Sequence, residues 1–156
     1  MGPLEGIRVL DFGQVGAAPV CGVILGELGA DVIKIEKLQG ETMRSGAPEG
    51  VPWVASAEHV DDPPWMSMNQ GKRGLAIDTR RSEGKMVIER LIRISDVMLH
   101  NFRPGVMSRL GLDYAAASKI NPRIIYLNLY PYGETGPKAR WAGGDAWIQG
   151  INGNIY

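Results

Sequence analysis

Cysteine is nearly absent. Cys21 is the only one among 156 residues, so no internal disulfide staples the fold and a reducing compartment is permitted. It falls on the apolar side of the first helical pattern, where a small buried hydrophobe is the expected role. No stretch approaches the roughly 18 consecutive apolar residues of a membrane span, and the first residues lack the charged and apolar regions of a signal peptide. The expected setting is the cytoplasm, with no membrane partner. Excess charge is missing as well: 17 basic and 17 acidic residues cancel, which removes the general electrostatic argument for nucleic acid and makes any anion site local. The two histidines, His59 and His100, have neither companion cysteines nor an HExxH spacing, so no metal site is expected. Neither has a serine or cysteine beside it in a recognisable catalytic motif.

What is present is ordinary for a globular domain, 44% hydrophobic and 22% charged, and it is organised around residues 7–36. Ile7, Val9, Leu10 and Phe12 make a short apolar run between Gly6 and Gly13, the pattern of a strand buried on both faces, with Asp11 its only charge. Pro19 suits the first turn of a helix expected to bury Val20, Val23, Ile24 and Leu28, with Gly29 as its stop. Val32, Ile33 and Ile35 form the next strand. Strand, helix and strand at this spacing make a right-handed crossover with parallel strands.

Residues 37–69 are rich in Gly, Pro and Ser and read as one long loop, a surface excursion pinned by Trp53 and Trp65 in preference to a substrate lid. Alternation then resumes. Leu75 to Ile77 is a strand ending at Asp78, and 82–95 a helix with Val87, Ile88, Leu91 and Ile92 on one face. Val97 to Leu99 is a strand, 106–110 a short helix, 114–120 a helix capped by Asp113, 124–129 a strand, and a last helical pattern opens at Asp145. An apolar helical pattern running to Tyr156 reads as a chain that continues. The expected class is α/β: a Rossmann-like, mostly parallel, doubly wound sheet with flanking helices.

Candidate site residues gather at loops. The turn from Gly13 to Pro19 lies outside a strand's carboxyl end and at a helix start, where open α/β sheets place ligands. Its glycines are three apart, so it is neither the GxGxxG fingerprint nor a P-loop, and a tight turn needing small residues explains it equally well. Lys37, Lys72, Arg73, Arg80, Arg103 and Arg109 stand near strand ends and could surround phosphates, although each alone reads as a solvated charge. Asn101 and Phe102 add an amide and a flat ring, a combination that suits a phosphate-bearing nucleotide. For Asp11, Asp78 and Asp145, capping or turn formation is the expected role.

Several stretches together resemble one family. VLDFGQVGAAPVCGVILGELGADVIKIE, GETMR at 40–44, NQGKRGLAID at 69–78, HNFRPGVMSRLGL at 100–112, NPRIIYLNLYPYGETGP at 121–137 and GGDAWIQGING at 143–153 are similar, in this order, to the N-terminal part of a family III CoA-transferase of the CaiB/BaiF type. That group includes formyl-CoA transferase, carnitine CoA-transferase and α-methylacyl-CoA racemase. The resemblance implies one CoA-binding α/β domain over residues 1–156, part of a larger domain in an interlocked homodimer. It also implies a reaction moving CoA from a thioester to a carboxylic acid, with coenzyme A as ligand and no metal. Matched motif by motif, the CoA-contacting positions would be Val15, Ala17, Lys37, Ile77, Thr79, Arg80, Asn101, Phe102 and Arg109. The family's nucleophilic aspartate, in a Gly-Asp motif, matches nothing within these residues, so the chain by itself is expected to be inactive. Gly16 stands where formyl-CoA transferase has a glutamine, and Gly144 where the racemases have a catalytic histidine. A racemase-type fragment, or a stand-alone CoA- or nucleotide-binding module without catalysis, is the alternative.

Overall fold

The computed structural model describes residues 2–41, 43 and 63–154. Five strands, β1 (Arg8–Asp11), β2 (Asp31–Glu36), β3 (Arg73–Ala76), β4 (Val97–His100) and β5 (Ile125–Asn128), lie in the order β3-β2-β1-β4-β5. All four pairings are parallel, with Leu10 beside Ile33 on one side and Met98 on the other. The expected α/β sheet is what forms. Its order reverses between β1 and β4, which makes the carboxyl ends of these strands the switch point where such sheets open a crevice.

Helices cover both faces. On one lie α1 (Ala17–Glu27) and α2 (Pro63–Asn69), the two packed against each other; on the other lie α3 (Ser82–Arg93), α4 (Val106–Leu110) and α5 (Tyr114–Ile120), and α6 (Asp145–Ile151) ends the described chain. Strand period two explains the division. Val9, Val32 and Leu99 face α1, and Leu10, Ile33, Ile35 and Met98 face Ile88, Ile92, Met107, Leu112 and Ala117. Asp113 caps α5 as expected, its carboxylate accepting the Ala116 N–H at 3.0 Å. Among the described residues no helix is long and apolar enough to cross a membrane.

Three expectations change. The segment read as loop throughout 37–69 contains α2, because prolines at a helix's first positions lack only N–H groups that would have no intrahelical partner; Trp53, His59 and residues 44–62 lie outside the described residues. Within α1 the buried positions are Ala18, Pro19 and Gly22, while Val20, Ile24 and Leu28 are 43%, 52% and 40% exposed. Val87 is likewise exposed, and α3 is anchored by Gly84, Ile88 and Ile92.

The rotation of α1 follows from what lies beneath it. Asp11, fully buried, accepts Lys72 Nζ at 2.7 Å and the Gly13 N–H at 2.6 Å. Lys34 Nζ lies 4.0 Å from the same carboxylate and donates to the Gly13 carbonyl. Lys72 also donates to the carbonyls of Pro19 and Met68 and to Asn69 Oδ1 at 2.7, 2.9 and 3.1 Å, tying β1, α1 and α2 together. Burial holds the Lys72 ammonium below the usual lysine range, and the Asp11 charge opposes that shift. A Cβ at Gly22 would meet Asp11 Oδ2 at 2.8 Å and Lys72 Cε at 3.1 Å, so this face of α1 must carry glycine and the larger Val20 and Ile24 turn outward.

Removing the anion of this group would leave two buried ammoniums facing each other. Asp11→Asn is expected to destabilise the fold by about 3–5 kcal/mol, and Lys72→Met by less, because Lys34 remains opposite Asp11. Urea denaturation checks both; a loss under about 1 kcal/mol for Asp11→Asn would contradict the account.

Candidate functional site

Past the carboxyl ends of β1, β2 and β3 lies a cleft of about 340 Å³, lined by Phe12, Gly13 and Gln14, by residues 35–39 and Glu41, by residues 77–80, and by Phe102 and Leu110. Parallel strands point all their carboxyl ends the same way, so loops distant in sequence meet here. Its walls divide by chemistry: Phe12, Ile35, Ile77, Phe102 and Leu110 give an apolar surface, while Lys37 and Arg80 bring positive charge and Glu36, Glu41 and Asp78 negative.

The β1–α1 turn is held rigidly beside the cleft. Asn101 uses both ends of its amide on one residue, Oδ1 accepting the Gln14 N–H at 2.8 Å and Nδ2 donating to the Gln14 carbonyl at 2.7 Å. Glu41 takes the next N–H, that of Val15, on Oε1 at 3.0 Å, and its own N–H donates to Glu36 Oε2 at 3.1 Å. Val15 has φ 62°, a left-handed conformation that a β-branched side chain resists, so these bonds hold a strained turn. Gly13 is required by contact: a Cβ there would lie 2.6 Å from Ala18 Cβ and 2.7 Å from Asp11 Oδ1.

Among the residues singled out from sequence, Lys37, Ile77, Thr79, Arg80 and Phe102 come together around this cleft. Val15, Ala17, Asn101 and Arg109 do not line it: Val15 and Ala17 are exposed at the turn, Asn101 clamps Gln14, and Arg109 projects from α4. Arg80 is bound to its neighbour Asp78, with Nε 3.1 Å from Oδ1, and this guanidinium holds the Asp78 carboxyl below the usual range. Lys72 and Arg73 leave the expected cation group. Lys72 is buried under α1, and Arg73 starts β3, at the amino end of the sheet, where it pairs with Asp31 at 2.6 Å. A residue just before a strand lies at the end opposite the crevice. Asp145 bonds Gln149 on α6 at 2.7 Å.

Glu36, Glu41 and Gln14 were not among the candidates. Glu36 had a usable signal, an acid closing the second strand of a parallel α/β unit, a position that contacts ribose in dinucleotide-binding sheets. Glu41 lay in the quoted GETMR stretch, but nothing local reveals that its side chain turns back to Val15.

His100 closes β4 behind Phe102. It is 1% exposed, its Nδ1 accepts the Phe102 N–H at 3.2 Å, and its ring stacks on Phe102 at 5.8 Å and meets Tyr126 and Tyr130 edge-on at 5.5 and 6.1 Å. Burial lowers its pKa from 6.5 to about 4, with the Asn128 amide pulling the other way, so it is neutral at physiological pH.

The fold and cleft define an open parallel α/β protein with a crevice past the carboxyl ends of its strands. The family profile described as CoA-transferase family III matches residues 4–156, and the chain belongs to that family. It is 38% identical over 154 residues to the succinate–glutarate CoA-transferase of Agrobacterium fabrum, covering 97% of this chain and 38% of that protein. It is 36% identical to the human succinyl-CoA:glutarate CoA-transferase, covering 99% of this chain and 34% of that one. The crystal structure of a CAIB/BAIF family protein from Brucella suis superposes with a TM-score of 0.86 at 37% identity, over 97% of this chain and 39% of that one. The chain thus spans less than two fifths of these proteins' length.

The buried imidazole makes a pH prediction. The folded pKa of about 4 lies below the unfolded value of 6.5, so the unfolded chain binds more protons between them. The His100 contribution is therefore complete above pH 6.5 and is lost as pH falls toward 4, by about 3 kcal/mol in all. His100→Gln is expected to flatten that part of the stability profile, measured by denaturation at successive pH values; an unchanged slope would contradict it.

Proposed function

We propose that the cleft binds the nucleotide end of coenzyme A, and that the chain is the CoA-binding portion of an enzyme that moves CoA between carboxylic acids. The observation that carries this reading is the convergence of Lys37, Thr79, Arg80 and Phe102, from three separate strand ends, on one crevice in a chain of this family. Two cations at a rim suit phosphates, and a flat ring beside an apolar wall suits a base. Relatives named as CoA-transferases acting on succinate, glutarate, malate and oxalate support carboxylic acids as the partner class.

In the family reaction an enzyme carboxylate attacks the donor thioester and expels CoA thiolate, forming a mixed anhydride; the thiolate then displaces the donor acid to give an aspartyl thioester, which divides one exchange into easier steps. The carboxylates considered from sequence each have a partner: Asp11 is held by Lys72, Asp78, on the cleft wall, by Arg80, and Asp145 by Gln149. On this reading these 156 residues by themselves bind CoA without exchanging it, since the family's nucleophilic aspartate matches none of them. Gly144, where a racemase would place its histidine, speaks against that chemistry here.

CoA is expected to raise the melting temperature more than NAD or ATP does, and Arg80→Ala to weaken CoA about five- to tenfold at fixed low salt with little change in stability, since Arg80 is exposed. Equal titrations for variant and wild type would remove Arg80 from the site. Incubation with labelled acyl-CoA and a panel of carboxylates should show neither transfer nor a covalent adduct by mass spectrometry; turnover at enzymatic rates would place the nucleophile within these residues.

A further inference from the structure

Glu41 combines three properties that the turn alone does not require. It is 3% exposed, it lines the cleft, and only one of its oxygens is engaged: Oε1 accepts Val15 N–H, whereas Oε2 is buried and accepts no hydrogen bond among the described residues. A carboxylate removed from water with one oxygen unmatched is costly, and a neutral residue could have capped the turn without that cost. The free oxygen calls for a hydrogen-bond donor. Phosphates at neutral pH offer acceptors only, so the donor belongs to another part of the ligand.

We infer that Glu41 is a ligand-binding residue whose Oε2 accepts a hydrogen bond from a ribose hydroxyl of the bound nucleotide. The inference rests on the nucleotide reading above and adds to it a residue and a ligand group. In dinucleotide-binding sheets of this strand order, the acid at the end of the second strand takes a ribose hydroxyl. Here that acid, Glu36, is buried with Oε2 bonded to the Glu41 N–H, and Glu41, five residues on in the same loop, carries the unmatched acceptor. Lys37, next to Glu36, stands on the cleft wall where a phosphate on the neighbouring ribose carbon would meet a cation. One loop would thus read two groups of one sugar: a hydroxyl at the Glu41 carboxylate, a phosphate at the Lys37 ammonium.

The test uses two probes, adenosine 3′,5′-bisphosphate and its 2′-deoxy analogue, titrated calorimetrically at fixed salt against wild type and Glu41→Gln. The amide retains an oxygen for Val15 N–H and turns an NH₂ toward the Oε2 position, so the turn is kept while the acceptor is lost. Wild type should bind the ribose form about tenfold tighter than the deoxy form, and Glu41→Gln should narrow that ratio clearly, because at best a neutral amide bond replaces a charge-assisted one. A role confined to holding the turn would weaken both probes alike or neither. Equal binding of the two probes by wild type, or undiminished discrimination in Glu41→Gln, would overturn the assignment while leaving the nucleotide reading in place. No binding of either probe to wild type would overturn that reading as well. The wild-type comparison needs no variant, so the proposal stays testable if Glu41→Gln folds poorly.

Discussion

The ion group formed by Asp11, Lys72 and Lys34 under α1 is the constraint on which the rest depends. Three charges are removed from water, and they are tolerable only because Asp11 receives a backbone N–H as well as Lys72, and Lys72 finds three further oxygens. Those oxygens belong to α1 and α2, so the lysine fixes where both helices lie on the sheet. Gly22 follows from this, since α1 can approach the pair only where it has no side chain. Gly13 follows as well, its N–H on Asp11 and its carbonyl on Lys34, which aims the chain into the β1–α1 turn.

From that anchored turn the cleft is built outward. Asn101 and Glu41 grip successive residues, Gln14 and Val15, from opposite sides, one after β4 and one after β2. Their combined hold offsets the left-handed backbone of Val15. His100 does for Phe102 what Asn101 does for Gln14: a neutral imidazole accepts the Phe102 N–H and stacks on its ring. Two of the residues lining the cleft, Gln14 and Phe102, are thus positioned by polar side chains at the end of β4.

The electrostatics of the cleft are mixed rather than uniformly basic. Lys37 and Arg80 are opposed by Glu36, Glu41 and Asp78, and Arg80 is already paired with Asp78. A simple polyanion trap would not be built this way. A ligand carrying both phosphates and hydroxyl or amino donors would match such walls, in keeping with the proposed nucleotide.

Strand positions, their parallel pairing and the Asp113 cap were legible in local patterns, because apolar runs bounded by Gly, Pro and Asn follow from backbone physics within a few residues. The family was legible from the order of its motifs. The direction in which α1 faces was not: Val20, Ile24 and Leu28 look like the buried side of an amphipathic helix, and only the ion pair beneath Gly22 turns them outward. Nor was the sorting of the cations legible, since Lys72 and Arg80 are similar as sequence and only one of them lies under a helix. Glu41 shows the same limit. Its character as an acid is written in the chain, but its grip on Val15, 26 residues earlier, exists only once parallel strands have brought the two loops to one end of the sheet. Local sequence determines which elements form; which polar groups are buried together, and therefore which remain for a ligand, is decided by long-range packing.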